Sequence, residues 1–160
     1  QLDLCYETTR EAIEQRKTFL KQRKIGICDI VRQAERDKID ATDLGMQQVR
    51  LRDLLGLLGQ YPRVETLLFT GGNSKNGPEY FFRRLLRQEG LRLEPVSETV
   101  PRVHECYLGR GRKIRTVSLT APSGSANRAI GSIPKYKEEK ARNPDYTVMD
   151  FRVEQYREWF

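Results

Sequence analysis

Between Ile114 and Ile130 the chain changes character within a few residues. Ile114 to Leu119 is a run of β-branched and apolar residues, the composition of a strand. It ends in a loop of small residues, Ala121-Pro122-Ser123-Gly124-Ser125-Ala126-Asn127, with two hydroxyls, one amide and almost no side-chain bulk. A strand that stops in such a loop brings backbone N–H groups and short donors within close reach of an anion such as a phosphate. Pro, Ser, Gly and Asn also form turns for local reasons, so the same residues suit an ordinary strand-to-helix turn.

The rest of the chain alternates helical and strand-like segments. Thr8 or Thr9 caps a predicted helix running to about Gln22, with Glu11 and Glu14 early and Lys21 and Arg23 late, as the helix dipole favours. Gly26 breaks the pattern; Ile27, Ile30 and Val31 read as a short buried segment, and Gln33 to Gly45 as a polar loop. Leu51, Leu54, Leu55, Leu57 and Leu58 have the spacing of a helix over Val49 to Gln60, stopped by Tyr61-Pro62. Thr66 to Thr70 reads as a strand covered on both faces and closed by Gly71-Gly72-Asn73, and Pro78 begins a helix over Glu79 to Glu89. Val100 to Leu108 and Lys113 to Leu119 flank a Gly-Arg-Gly turn, as an antiparallel pair or as neighbouring strands. Residues 132–146, with Pro134 and Pro144, read as a charged linker or insertion. Val148 to Phe160 reads as a terminal helix that docks Phe151, Gln155, Tyr156, Trp159 and Phe160 on the core. This alternation predicts one α/β domain over residues 1–160. Ligand-binding loops in such folds lie at the carboxyl ends of parallel strands, so Thr70–Asn73 and Thr120–Asn127 are expected to converge.

Composition narrows the partners. Lys and Arg total 29 against 22 Asp and Glu, a formal charge of +7, which favours a polyanion. Arg110, Arg112 and Lys113 stand in the Gly-containing turn before the Ile114 strand, suited either to backbone contacts or to a plain basic hairpin tip. Arg83, Arg84 and Arg87 read as a solvated helix face. No apolar run approaches the roughly 18–20 residues of a membrane span, and no secretory pattern opens the sequence, so a cytoplasmic or nucleoid setting is expected. Cys5, Cys28 and Cys106 are widely spaced without a CxxC pair, and read as reduced, buried, structural thiols; no metal and no cofactor is expected. The lone His104 reads as a packed or surface residue. Thr70 to Lys75 lacks the full spacing of a Walker loop.

Pro122-Ser123-Gly124-Ser125-Ala126-Asn127 resembles the second signature motif of the uracil-DNA glycosylase superfamily. Its Pro-Ser-Gly start is similar to the mismatch-specific uracil/thymine branch, and its Ser-x-Ala-Asn ending to the hypoxanthine branch. Two further segments fit in order. Lys24-Ile25-Gly26-Ile27-Cys28-Asp29-Ile30-Val31 resembles the family segment in which Gly-Ile leads to Asp-Val or Asp-Ile, and Val64 to Gly71 resembles the strand lining the base pocket. The matches cover about Phe19 to Asn127. The family's first motif, with its water-activating Asp or Asn, has no counterpart upstream of Phe19, so the expectation is an N-terminally incomplete or remnant member.

The resemblance implies a three-layer α/β/α fold with a short, mostly parallel central sheet. It implies a DNA-repair glycosylase that hydrolyses the N-glycosidic bond of a flipped uracil, hypoxanthine or mismatched base, acting on DNA as a monomer and without a cofactor. Asn127 matches the motif Asn and would bond a base edge or a phosphate; Pro122, Ser123, Gly124, Ser125 and Ala126, with Arg110, Arg112 and Lys113, would grip the DNA; Phe69, Thr70 and Asn73 would floor the base pocket. Asp29 is a second catalytic candidate, for which a structural hydrogen bond is the competing role. Two other readings compete: a non-catalytic nucleic-acid-binding remnant of the same fold, and a small nucleotide-binding α/β protein using Thr70 to Lys75.

Overall fold

The computed structural model describes residues 7–39 and 43–160. Thr9 opens the first helix, α1 (Arg10–Arg23): its Oγ1 accepts from Ala12 N at 3.2 Å, and Lys24 closes the helix in the left-handed region at φ 56°. A hairpin follows, β1 (Val31–Arg36) paired antiparallel with β2 (Met46–Leu51). The hairpin corrects two expectations, the polar loop over Gln33–Gly45 and the helix from Val49. Pairing of Val31 with Leu51 draws Val49 to Leu51 into extended backbone. The helix α2 (Leu54–Gln60) starts only where the Asp53 side chain accepts from Gly56 N at 2.8 Å. Ile27, expected inside, is 78% exposed, whereas Ile30 and Val31 are half-buried.

The main sheet has the order β3-β6-β5-β4, from β3 (Thr66–Phe69), β4 (Glu94–Ser97), β5 (Arg102–Leu108) and β6 (Arg112–Ser118). Only β3 and β6 run parallel; β5 pairs antiparallel with both β6 and β4. The fold is therefore α/β with a mixed, mostly antiparallel sheet, which corrects the expected mostly parallel one. The cause is local. Gly109–Gly111, with Arg110 at φ 61° and Gly111 at φ 73°, reverses the chain too tightly for a crossover, and a tight link joins only antiparallel neighbours. The parallel β3–β6 pair is spanned by the long excursion that contains α3 (Pro78–Gln88).

Helix α3 covers one sheet face. Its Phe82 and Leu86 form a core with Leu54 and Leu58 of α2, Phe69, Leu93, Cys106 and Ile114. Val117, on the opposite face of β6 from Ile114, and Leu119 just beyond the strand are also fully buried, so both faces of this strand are covered at its end. A smaller core joins Ile130 of α4 (Gly124–Ile130), Tyr146 and Phe151 of α6 (Val148–Arg157). Residues 132–146 are not a linker: they carry α5 (Pro134–Arg142), whose Tyr136 meets Phe151 edge-on at 5.9 Å and lies beside the buried Tyr146. Among the described residues no helix is long and apolar enough to cross a membrane.

Candidate functional site

Phe69 and Ser118 are register partners, and Leu119 N donates to Phe69 O at 2.8 Å. Because β3 and β6 run parallel, the loops that begin at Thr70 and Thr120 leave the same end of the sheet, side by side. The first loop folds tightly on itself. A Cβ on Gly77 would stand 2.5 Å from Gly72 O, and one on Gly71 3.0 Å from Pro78 Cδ. Asn76, at φ 65°, ties this loop to the hairpin by donating to Asp43 O at 2.9 Å and Met46 O at 3.2 Å. Thr70 and Asn73 are exposed at the loop surface. Phe69 is not: it is buried in the core with its ring 5.4 Å from Phe82, which removes it from any pocket floor.

In the second loop Ser123 caps α4. Its Oγ accepts from Ala126 N at 3.3 Å and lies 3.2 Å from Ser125 Oγ, and its carbonyl accepts from Asn127 N at 2.9 Å. Pro122, Ser123, Gly124 and Ser125 are exposed; Ala126 and Asn127 are half-buried. Helix α6 holds the root of this loop. Thr120 N donates to Gln155 Oε1 at 2.6 Å, Tyr156 Oη donates to Thr120 O at 3.1 Å, and Arg152 Nη2 donates to Asn127 Oδ1. The sequence signal for this was the i, i+3, i+4 spacing of three polar groups on a helix face otherwise read as docking surface.

Beneath the first loop lies a buried ion cluster that sequence reading missed. Glu79 is fully buried and accepts from Ser118 Oγ at 2.6 Å, Arg83 Nε at 2.9 Å and Arg102 Nη2 at 2.8 Å. Burial pushes its carboxyl up, but the bonds from Ser118 and Arg83 and the Arg102 charge outweigh it and hold the group below the ordinary carboxylate range. His104 is held below its usual value chiefly by burial; the Glu79 charge pulls the other way, and the charges of Arg83 and Arg102 act with burial. Its Nε2 stands 2.8 Å from Arg83 Nη2, and a guanidinium only donates; the neutral ring therefore carries its proton on Nδ1, which has no hydrogen-bond partner among the described residues. A Cβ on Gly72 would lie 3.1 Å from Arg102 Nη2, so the cluster is the support on which the loop rests. Its signal in the sequence was the Glu79–Arg83 spacing of one helical turn.

The basic turn lies elsewhere. Arg110, Arg112 and Lys113 sit at the start of β6, and Ser123 to Asn127 follow its end; seven residues at roughly 3.3 Å each separate the two by about 20 Å. Arg112 is also engaged within the fold, donating to Leu58 O, Tyr61 O and Val64 O at the end of α2. Lys113 and Arg115 pair with Glu105, each at 3.3 Å, and Arg110 is exposed. The exposed basic side chains nearest the loops in sequence are Lys75, in the first loop, and Arg128, on α4 just past Asn127. Replacing Arg112 with Ala is expected to cost about 2–4 kcal/mol in urea unfolding, since three carbonyls lose a charged donor; Arg110→Ala should stay within about 0.5 kcal/mol. Equal, small losses for both would deny Arg112 this role.

Asp29 is exposed just before β1. Its carbonyl accepts from Arg52 Nε at 2.9 Å, so its place in the structure is held through backbone, not through the carboxylate. Cys106 is buried, which pushes its thiol up to about 11; Cys28 is exposed rather than buried as expected, and Cys5 lies outside the described residues. Two surface concavities flank α2, one lined by Arg50, Asp53 and Arg84, the other by Gly59, Leu91 and Arg112; neither is lined by a residue of the two loops. No protein-family model, curated protein or solved structure matches the chain.

Proposed function

We propose that this chain is a DNA-binding protein of the uracil-DNA glycosylase kind, built to hold a flipped deaminated or mismatched base. The observation that carries the reading is the parallel β3–β6 pair, which sets Thr70–Asn73 and Thr120–Asn127 side by side. Coverage of both faces of β6 supports the three-layer arrangement that the reading entails. On this reading Thr70 and Asn73 face the base, Asn127 bonds a base edge or phosphate, and Pro122 to Ala126 press on the DNA backbone. Lys75 and Arg128 supply the phosphate charge beside these loops, rather than the distant Arg110 to Lys113 turn. Base loss proceeds through an oxocarbenium-like sugar, so groups that hold the departing base and its negative charge lower the barrier.

A binding-only role is favoured by one observation. Glu79 is sealed by three donors and Asp29 is exposed, so neither carboxylate is arranged as a base for water. The deciding experiment incubates the protein with labelled duplexes carrying uracil, hypoxanthine or a G·T mismatch and reads base release and binding together. Release of one base establishes the glycosylase and its substrate; lesion-dependent binding without release establishes the binding role; no DNA binding rejects both. In the same assay Lys75→Ala with Arg128→Ala should lower the slope of log affinity against log salt by about 1–2, and Arg110→Ala with Lys113→Ala should not. The reverse result would move the interface to the other end of the sheet.

A further inference from the structure

One guanidinium of the ion cluster is only partly used inside the fold. Phe69, Ser118 and Arg102 are register partners across three neighbouring strands, so Arg102 stands in the last row of the sheet before the two loops leave it. At roughly 4.8 Å between strands, its backbone lies about 5 Å from that of Ser118 and about 10 Å from that of Phe69. Arg102 Nη2 donates to Glu79 Oε2 at 2.8 Å and lies against Gly72 of the first loop, where a Cβ would come to 3.1 Å. The donors on Nε and Nη1 make no hydrogen bond to a described residue, and neither atom is sealed from water. The Arg102 side chain is 36% exposed, against 0% for Glu79. Glu79 thus fixes the guanidinium from within and leaves its other donors open to solvent. Two guanidinium groups share this one carboxylate, so the cluster holds an excess positive charge. Arg83 lies one helical turn further along α3 and directs its Nη2 at His104, deeper in the sheet; Arg102 is the member of the pair at the loop end.

We propose that Arg102 is a phosphate-binding residue, offering its remaining N–H donors beside the first loop to one phosphate of the DNA backbone. The inference rests on the function proposed above and adds a contact to those of Lys75 and Arg128. A planar, fully charged array of donors matches the oxygens of a phosphate. Thr70, Asn73 and Ser74 expose uncharged polar groups nearby, and residues 70–77 contain no carboxylate to compete for the guanidinium. Glu98, whose charge reaches His104, makes no ion pair with Arg102. Because Glu79 already holds the side chain, a ligand does not have to order it on binding. A free phosphate offers the same oxygens, and the test separates the two sources.

The test measures affinity for an uncleavable duplex holding 2′-fluoro-2′-deoxyuridine opposite guanine, and for a set in which each phosphate flanking that nucleotide is in turn a neutral methylphosphonate. One position in the set should weaken binding by the wild-type protein by about tenfold or more, the worth of one charge-assisted hydrogen bond. At that position the penalty for Arg102→Ala should fall to within about threefold, and its slope of log affinity against log salt should be lower by about 1. Arg102→Lys keeps the charge without the planar donors and should keep the slope. Arg83→Ala removes the other guanidinium from Glu79 and should keep the full methylphosphonate penalty. A loop that is merely loosened weakens binding to every duplex alike and leaves the position-specific penalty in place. A folded Arg102→Ala protein whose penalties match the wild type at every position overturns the inference alone. Equal loss of the penalty in Arg83→Ala overturns it as well, and makes the cluster a support for the loop only. If the wild-type protein binds no duplex, the proposed function falls, and calorimetric titration with inorganic pyrophosphate decides the phosphate site. Binding that Arg102→Ala weakens by about tenfold keeps the site with a free phosphate as its source; no binding removes it.

Discussion

Glu79→Ala is expected to remove about 3–5 kcal/mol of stability, enough to unfold a protein of ordinary margin. Glu79 is fully buried, and it is the shared acceptor of Arg83, Arg102 and Ser118. Its removal leaves two guanidinium groups close together with no counter-charge and the Ser118 hydroxyl without its acceptor. Removal of one arginine is a smaller loss. Arg83 and Arg102 retain partial contact with water, and Glu79 keeps its remaining donors, so Arg102→Ala should cost about 1–2 kcal/mol. Replacing Glu79, Arg83 and Arg102 together by apolar residues should recover much of what Glu79→Ala loses, because desolvating the ions is itself costly. Urea unfolding of the single and triple variants decides this: a triple variant no more stable than Glu79→Ala would show that the cluster stabilises by more than mutual neutralisation.

The same cluster sets a pH dependence. The native Glu79 carboxyl is held below its usual value of 4.5, so its contribution is present above that value and is lost as pH falls through and below it. Native His104 is also held below its usual 6.5. The unfolded chain then takes up the histidine proton first, and stability falls as pH drops below about 6.5. Both effects have one sign. Unfolding free energy should decline from pH 7 downward in two steps, and His104→Gln should remove the upper step while leaving the lower. A flat profile between pH 7 and 5.5 would mean that His104 protonates in the native state without penalty.

What could be read in the sequence was what neighbours along the chain decide. Thr9 caps its helix through an atom three residues away, Pro78 starts α3, and Gly109–Gly111 reverses the chain within a turn. The misreadings arise where a distant partner decides. Val31 to Arg36 is too polar to announce a strand, and it becomes one because β2 pairs with it. The Leu51–Leu58 spacing is truly helical only past Asp53, since Leu51 is claimed by Val31 across the hairpin. Residues 132–146 look like a linker until Tyr136 and Tyr146 find Phe151. At the site the two loops were legible as strand ends, but not the residues that hold them. Arg112 and Arg152 look alike as surface cations in the sequence. One closes the end of α2, the other orients Asn127, and only the fold separates them from Arg110, which is exposed.

Asn127→Ala is expected to reduce base release by about 100- to 1,000-fold in whatever form of the protein releases base, the cost of removing one donor aimed at a developing negative charge. The effect should fall mainly on kcat. A departing base gains charge on its oxygens as the glycosidic bond lengthens, and a donor held in place beforehand strengthens its bond to that charge without having to reorient. Asn127 meets the requirement through two anchors: its backbone N–H bonds Ser123 O within α4, and its amide is clamped by Arg152 from α6. The substitution also leaves the Arg152 guanidinium without its acceptor, so a loss of about 1–3 kcal/mol in stability should accompany it. Asn127→Asp separates the two consequences, because it keeps the oxygen that Arg152 needs and removes the donor that the leaving base needs. An unfolding midpoint near that of the unmodified protein, with release as low as in Asn127→Ala, would locate the defect in the chemistry. Release close to the unmodified rate in both variants would place Asn127 outside the site, and would make its bond to Arg152 a purely structural tie between α4 and α6.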